Sequence, residues 1–320
     1  MSMGKTFKTA FIVGIVLTLV GGATFTAAIG ATGWNFDELS TTQFEEKTYT
    51  ETDAVTTLNV DYESANVQTE FVPAGSALTV RYPQRQNKNG ENTAAVTVTE
   101  ESGVLTVSEK SNFTAQLFAW NWTAPTVVLS LPADRVYTLN LQTDNGDVRL
   151  GAGDYSVGSL SIKSNNGDLH LEDANVTVQD SVTVSTDNGE IYLGSVTARE
   201  MNVHTNNGEI ELQAVALTGN FSCKSNNGKI LLKESVHAAN IRVETNNGEI
   251  CANGCLQAND ITLDSDVGSI TALVYGTRAD YTLTISTDVG ISNLTSSTGG
   301  AKTLTVTTDV GSINVRFSGE

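Results

Sequence analysis

The sequence predicts an all-β fold: a single-handed β-solenoid of ~20–22-residue coils with an irregular β N-terminal cap, preceded by one transmembrane helix. Three observations carry this. First, a phrase of Ser/Thr, then Asp/Asn, then Asn/Val, then Gly recurs nine times, ending at Gly146, Gly167, Gly189, Gly208, Gly228, Gly248, Gly268, Gly290 and Gly311. The successive gaps are 21, 22, 19, 20, 20, 20, 22 and 21 residues, and such a fixed period marks a repeat architecture. Second, apolar and polar residues alternate on both sides of each glycine, the pattern of a strand with one buried face. Third, the first forty residues hold a long uncharged apolar run.

In chain order, residues 1–9 form a short stub carrying Lys5 and Lys8. No charge occurs from Thr9 to Phe36, and the apolar heart, residues 10–31, is long enough to cross ~30 Å of hydrocarbon at ~1.5 Å per residue. The flanking lysines favour a cytoplasmic N-terminus, which puts everything after the helix outside the cytoplasm. A cleaved secretory signal is the alternative, with small residues at Ala27–Ala31 for the peptidase. Length and the interior Gly14, Gly21 and Gly22 favour the uncleaved single-pass anchor. Residues 32–47 read as a linker.

Residues 48–135 read as a diverged, irregular β start to the repeat. Leu58, Val60 and Tyr62 lead to Ala65, followed by Val67 and Thr69, so Ala65 occupies the glycine slot. Further strand-like runs lie at Leu78–Tyr82, Ala95–Thr99, Val104–Ser108 and Thr126–Leu131. Terminal repeats diverge because they cap an open sheet edge. A separate small β domain is the alternative for this region.

Residues 136–320 hold the regular repeat. Seven and five residues before each glycine stand the pairs Leu139/Leu141, Leu160/Ile162, Val182/Val184, Met201/Val203, Phe221/Cys223, Ile241/Val243, Ile261/Leu263, Leu283/Ile285 and Leu304/Val306. Two and four residues after the glycine the alternation resumes, as in Val148/Leu150 and Ile210/Leu212. Each unit is then strand, tight turn, strand and a short connector. The Ser/Thr three before each glycine, from Thr143 to Thr308, has inward parity and needs a stacked hydroxyl or a turn amide as partner. Asn-Gly predicts a turn with positive φ at both residues, and in the Val267, Val289 and Val310 copies at the glycine alone. A sandwich of antiparallel hairpins also fits this pattern. The near-constant period and identical columns favour the solenoid, in which each residue stacks on its counterpart about 4.8 Å away.

The 36 acidic against 18 basic residues, a formal charge of −18, disfavour nucleic acid and anionic lipid surfaces as partners of the β region. Of three cysteines, Cys223 takes an inward slot. Cys251 has outward parity, while Cys255 takes the apolar slot of Val196 and Val215, seven after the glycine, so parity opposes a disulfide across their short loop. His170, His204 and His237 are scattered without zinc-ligand spacing. Acidic residues recur one after the glycine, at Asp147, Asp168, Glu190, Glu209 and Glu249, with Lys229 interrupting. They form either a cation ladder or a solvated surface column, and the second reading is favoured. Trp120-Asn121-Trp122, with Phe113, Leu117 and Phe118, is the densest aromatic patch, read as a cover over the first coils. Five Asn-X-Ser/Thr sequons, at Asn112, Asn121, Asn175, Asn220 and Asn293, match what an Asn- and Thr-rich chain gives by chance. Polar residues repeat instead of clustering, connectors are short, and no phosphate loop or Ser/His/Asp set stands out. No catalysis, cofactor or metal is expected.

The run Val127–Pro132 leading to Leu139–Val148, the Ser64-Ala65-Asn66-Val67 element, and the serial [Ser/Thr]-x-x-Gly-[Asp/Glu]-Ile units resemble the bacterial putative-adhesin domain family, which includes LiaG-like envelope proteins. The resemblance covers about residues 50–317, and departs from the pattern where Asn-Gly becomes Val-Gly and at Gly290-Ile291-Ser292. It implies a cell-membrane, single-pass protein of the bacterial envelope whose extracytoplasmic β-solenoid is an adhesin or surface-binding scaffold without catalysis. Its partners would be the membrane, through the N-terminal helix, and an envelope or surface protein or glycan. The alternatives are an accessory protein of an envelope-stress signalling system and, less favoured, a polysaccharide-active enzyme.

Overall fold

The computed structural model describes residues 18, 20–24, 26, 27, 30, 31, 33 and 42–320, except 88 and 112–123. Residues 20–24 are helical, and among the described residues no helix is long and apolar enough to cross a membrane. Most of the 10–31 anchor segment, and the aromatic patch from Phe113 to Trp122, lie outside the described residues. The chain divides into two compact units: Met1–Glu45, Gln84–Ala95 and Ser111–Thr123 in one, and Glu46–Pro83, Val96–Lys110 and Ala124–Glu320 in the other. In the smaller unit, the Gln84 amide donates to the Ala94 carbonyl at 2.8 Å.

The larger unit is a β-solenoid built from parallel, in-register stacks. The strands before the repeat glycines pair column on column: Leu160 on Leu139 and Val182, Val203 on Val184 and Cys223, Val243 on Leu263. The strands after the glycines do the same, as Ile191 on Leu169 and Ile210. All the apolar residues of the pre-glycine pairs are buried except Ile285, which is half-buried. At about 1.5–3 kcal/mol for each buried Val, Leu or Ile, these columns are the main stabilising contribution.

The connectors are richer than the sequence suggests. They hold a third buried column: Tyr155, Val176, Val196, Val215, Val236, Leu256, Val274 and Phe317 pair in that order. Cys255 does not join it. A register shift between Ala252 and Cys255 gives the slot to Leu256 and leaves Cys255 half-buried. All three cysteines are free thiols, and burial pushes the Cys223 thiol up.

The repeat glycines also have a different cause from the expected turn. Gly146, Gly208 and Gly268 have φ of 157–158°, essentially extended, and no Asn or Val before a repeat glycine has positive φ. The glycines are required by closeness. A Cβ on Gly228 would lie 1.8 Å from the Gly208 carbonyl oxygen, and one on Gly146 would lie 2.2 Å from that of Ala65. The backbones stack so tightly at this corner that no side chain fits. The buried hydroxyls bond there too. Thr143 donates to the Ala65 carbonyl at 2.8 Å, Ser164 to Gly146 at 3.0 Å and Thr245 to Gly228 at 3.0 Å. Their partner is neither a hydroxyl nor an amide but the carbonyl in the glycine slot one coil away, which for Thr143 is that of Ala65. A left-handed turn does occur at Ser102-Gly103, with φ of 52° and 78°, between the Ala94–Glu101 and Val104–Ser111 strands.

The order of coils in space departs from their order in sequence at both ends. The Thr57–Tyr62 strand lies between Val104–Ser111 and Tyr137–Asn145. At the other end Asp260–Val267 pairs with Lys302–Val310, and Lys302–Val310 pairs in turn with Tyr281–Val289. The Gly290 copy is therefore outermost and the Gly311 copy is slotted beneath it.

Candidate functional site

The outward side chains form ladders along the stack. The Asn before the glycine makes one: each side-chain amide donates to the next Asn carbonyl oxygen, from Asn166 to Asn145 at 3.0 Å through Asn247 to Asn227 at 3.0 Å. One residue earlier Asp and Asn mix, and Asn165 donates to Asp144 at 2.8 Å and Asn206 to Asp187 at 3.0 Å.

Of the acidic column, Asp147 and Asp168 are engaged with backbone: Asp147 accepts the Asp168 N–H at 2.9 Å, and Asp168 accepts the Glu190 N–H at 2.8 Å. Lys229 lies between Glu209 and Glu249, because Ile210 pairs with Ile230 and Ile230 with Ile250. Among the described residues no three His, Cys, Asp or Glu come together to hold a metal ion. His204 instead places Nε2 3.1 Å from the Asn206 side-chain oxygen.

Two further surface features stand out, of which the sequence marked only the second, through its Val-Gly copies. The first is the outward row three after the glycine, where Arg149, His170, Tyr192 and Glu211 stand in register. The His170 and Tyr192 rings stack with centroids 5.4 Å apart and planes 8° from parallel. The Tyr192 hydroxyl donates to the Glu190 carboxylate, and that bond, with burial, raises the tyrosine pKa. Their common offset from the glycine was the available signal.

The second feature is the C-terminal end. There the Asn ladder gives way to Val267, Val310 and Val289, which are 49%, 47% and 64% exposed, and Ile291 beyond them is 78% exposed. Beside this end a half-open groove of about 740 Å³ is lined by Asn253, Thr271, Leu273, Asn293, Leu294 and Arg316. Asn293 is fixed by the neighbouring coil, since its amide donates to the Val315 carbonyl at 2.7 Å and its oxygen accepts the Val315 N–H at 3.0 Å.

The sequence model of the Toastrack DUF4097 family matches residues 55–316. The chain belongs to that family. The Toastrack span takes in every repeat glycine and the irregular coils from Leu58, and leaves out the N-terminal apolar run. Among solved structures, this Toastrack chain is similar to a putative adhesin from Bacteroides fragilis, with 14% identity and a TM-score of 0.41 over 86% of this chain and 97% of that one. It is also similar to a putative cell adhesion protein from Clostridium sporogenes, with 14% identity and a TM-score of 0.21 over 86% and 100%. No curated protein matches the chain. The expected putative-adhesin family thus agrees with the family found.

Proposed function

We infer that the protein is a non-catalytic binding scaffold displayed outside the cell, held in the membrane by the apolar segment 10–31. The observation that carries this reading is the surface itself. Among the described residues, polar side chains are spread in ladders along the coils, such as the Asn166–Asn247 row, and not gathered into one reacting cluster. Such a surface binds by area and repetition. The acidic balance of −18 suits a soluble exported face and directs it towards neutral or cationic partners.

Intact cells carrying a C-terminally tagged chain test the topology. External protease is expected to remove the tag while the protein stays with the membrane fraction, and deletion of residues 10–31 is expected to leave it inside. A tag protected from protease in intact cells rejects export. Release of the β region into the medium rejects the uncleaved anchor. Retention of purified envelope or host-surface material by exported protein then tests the binding role.

A further inference from the structure

Among the described residues, the Tyr281–Val289 strand has a ladder partner on one side only, Lys302–Val310. On its other side the returning chain covers the first half. Leu283 N–H donates to the Ser297 carbonyl at 2.7 Å and its carbonyl accepts the Ser297 N–H at 3.1 Å. The Ser296 hydroxyl accepts the Ile285 N–H at 2.9 Å and donates to its carbonyl at 3.2 Å. Backbone groups of a strand alternate sides, so Thr287 turns its N–H and C=O outward as Leu283 and Ile285 do. No backbone hydrogen bond from the returning chain, residues 291–301, reaches Thr287. The carbonyls of Gly268 and Gly311 accept hydroxyls from Thr308 at 2.9 Å and Thr287 at 2.8 Å, whereas that of Gly290 has no next coil above it.

The side chains at this half-edge differ from those elsewhere on the stack. Val289 ends an exposed apolar row that continues through Val310 and Val267, and Ile291, on the other side of Gly290, is more exposed still. The adjoining column, mixed Asp and Asn in earlier coils, becomes three successive exposed aspartates, Asp266, Asp309 and Asp288. Natural sheets blunt exposed edges with lysine, proline or cover, and this one carries none of them beyond Ser296.

We propose that the edge Thr287–Ile291 docks an extended segment of a partner protein, which adds to the solenoid as a further strand. It sets aliphatic side chains against Val289 and Ile291 and a Lys or Arg beside Asp288. The aspartate triplet selects this occupant. A second copy of the chain would bring another Asp288 and another −18 charge to the same edge. The inference rests on the binding-scaffold reading and locates its contact. Protease access reports export, whereas the peptide test reports the edge itself, so failure of one is distinguishable from failure of the other.

The test uses the full chain in detergent and a fluorescent eight-residue peptide alternating valine and lysine. Anisotropy is expected to show saturable binding, weakened at least tenfold when glutamate replaces lysine in the peptide or by Asp288→Lys in the protein. Two N-methylated peptides make the backbone test on unaltered protein. Methylation at the valines blocks one edge of the peptide and methylation at the lysines blocks the other, so only one of the two is expected to abolish binding. The proposal is overturned by absence of saturable binding, by equal effects of both methylation patterns, by indifference to peptide charge, or by sedimentation showing a dimer that Asp288→Lys strengthens.

Discussion

At the residue scale, glycine and carboxylate positions carry most of the specific information. A methyl at Gly228 would overlap the Gly208 carbonyl, with no flexible side chain to move aside. Gly228→Ala is expected to cost at least about 3 kcal/mol in chemical denaturation, in the upper range for single substitutions. Gly75 has φ of 75° and open space within 4 Å of where a methyl would project, so Gly75→Ala should cost only the left-handed strain, about 1–2 kcal/mol. The period makes these positions visible in the sequence, but their physical role is not. Asn-Gly is so strong a turn signal that local chemistry suggests positive φ, whereas the closeness of the next coil is a tertiary fact. Glu100 was equally hidden. Its carboxylate accepts the Thr52 N–H at 3.0 Å, the Thr52 hydroxyl at 2.7 Å, the Tyr49 hydroxyl at 2.8 Å and the Asp53 N–H at 2.7 Å. These bonds, the Thr52 amide first, hold its pKa down to about 2. A carboxylate with a depressed folded pKa stabilises the fold above its unfolded value, about 4.3, and that contribution fades as pH falls towards 2. Glu100→Gln is therefore expected to lower the melting temperature at pH 6 and to converge on the parent near pH 2, as thermal scans across pH would report.

At the element scale, the unit of construction is one hydroxyl, one glycine carbonyl and one asparagine amide repeated along a corner. Thr245 is buried and donates to Gly228 at 3.0 Å. Thr245→Val keeps the shape and removes the donor, which leaves a buried carbonyl unpaired at a cost of about 1–3 kcal/mol in urea denaturation. The strands on either side of the glycine were legible because alternation survives in every copy. The third column was not. Its residues shift from seven to eight after the glycine between Val215 and Val236, and Leu256 keeps the later position, so a fixed offset picks Cys255 instead. The acidic column shows the same limit. Spacing reveals Asp147 and Asp168, but only the fold shows that both accept backbone N–H groups of the next coil.

At the scale of the larger unit, the chain at each end overshoots and returns, so spatial order departs from sequence order. Sequence order cannot reveal this, because the Gly290 and Gly311 copies carry the same Thr-Asp-Val-Gly phrase and either could take either place. The difference is measurable. In a stack built in order, ending the chain after Ser296 would expose the Tyr281–Val289 strand and leave it paired. Here the same truncation removes Lys302–Val310, its sole ladder partner among the described residues. Amides of Tyr281–Val289 are expected to lose hydrogen-exchange protection in the truncated protein, while those of Asn220–Asn227 keep theirs. The interlocked ends also bear on how such a molecule can change length over generations. A unit appended after the last coil would meet a terminus already tucked inward, and a unit prefixed to the first would meet the Thr57–Tyr62 strand between later ones. Duplication or loss of a whole coil leaves every partner in place only in the ordered interior, from the Gly146 copy to the Gly268 copy. Changes in height are therefore expected to arise in the middle, with both ends kept as they are.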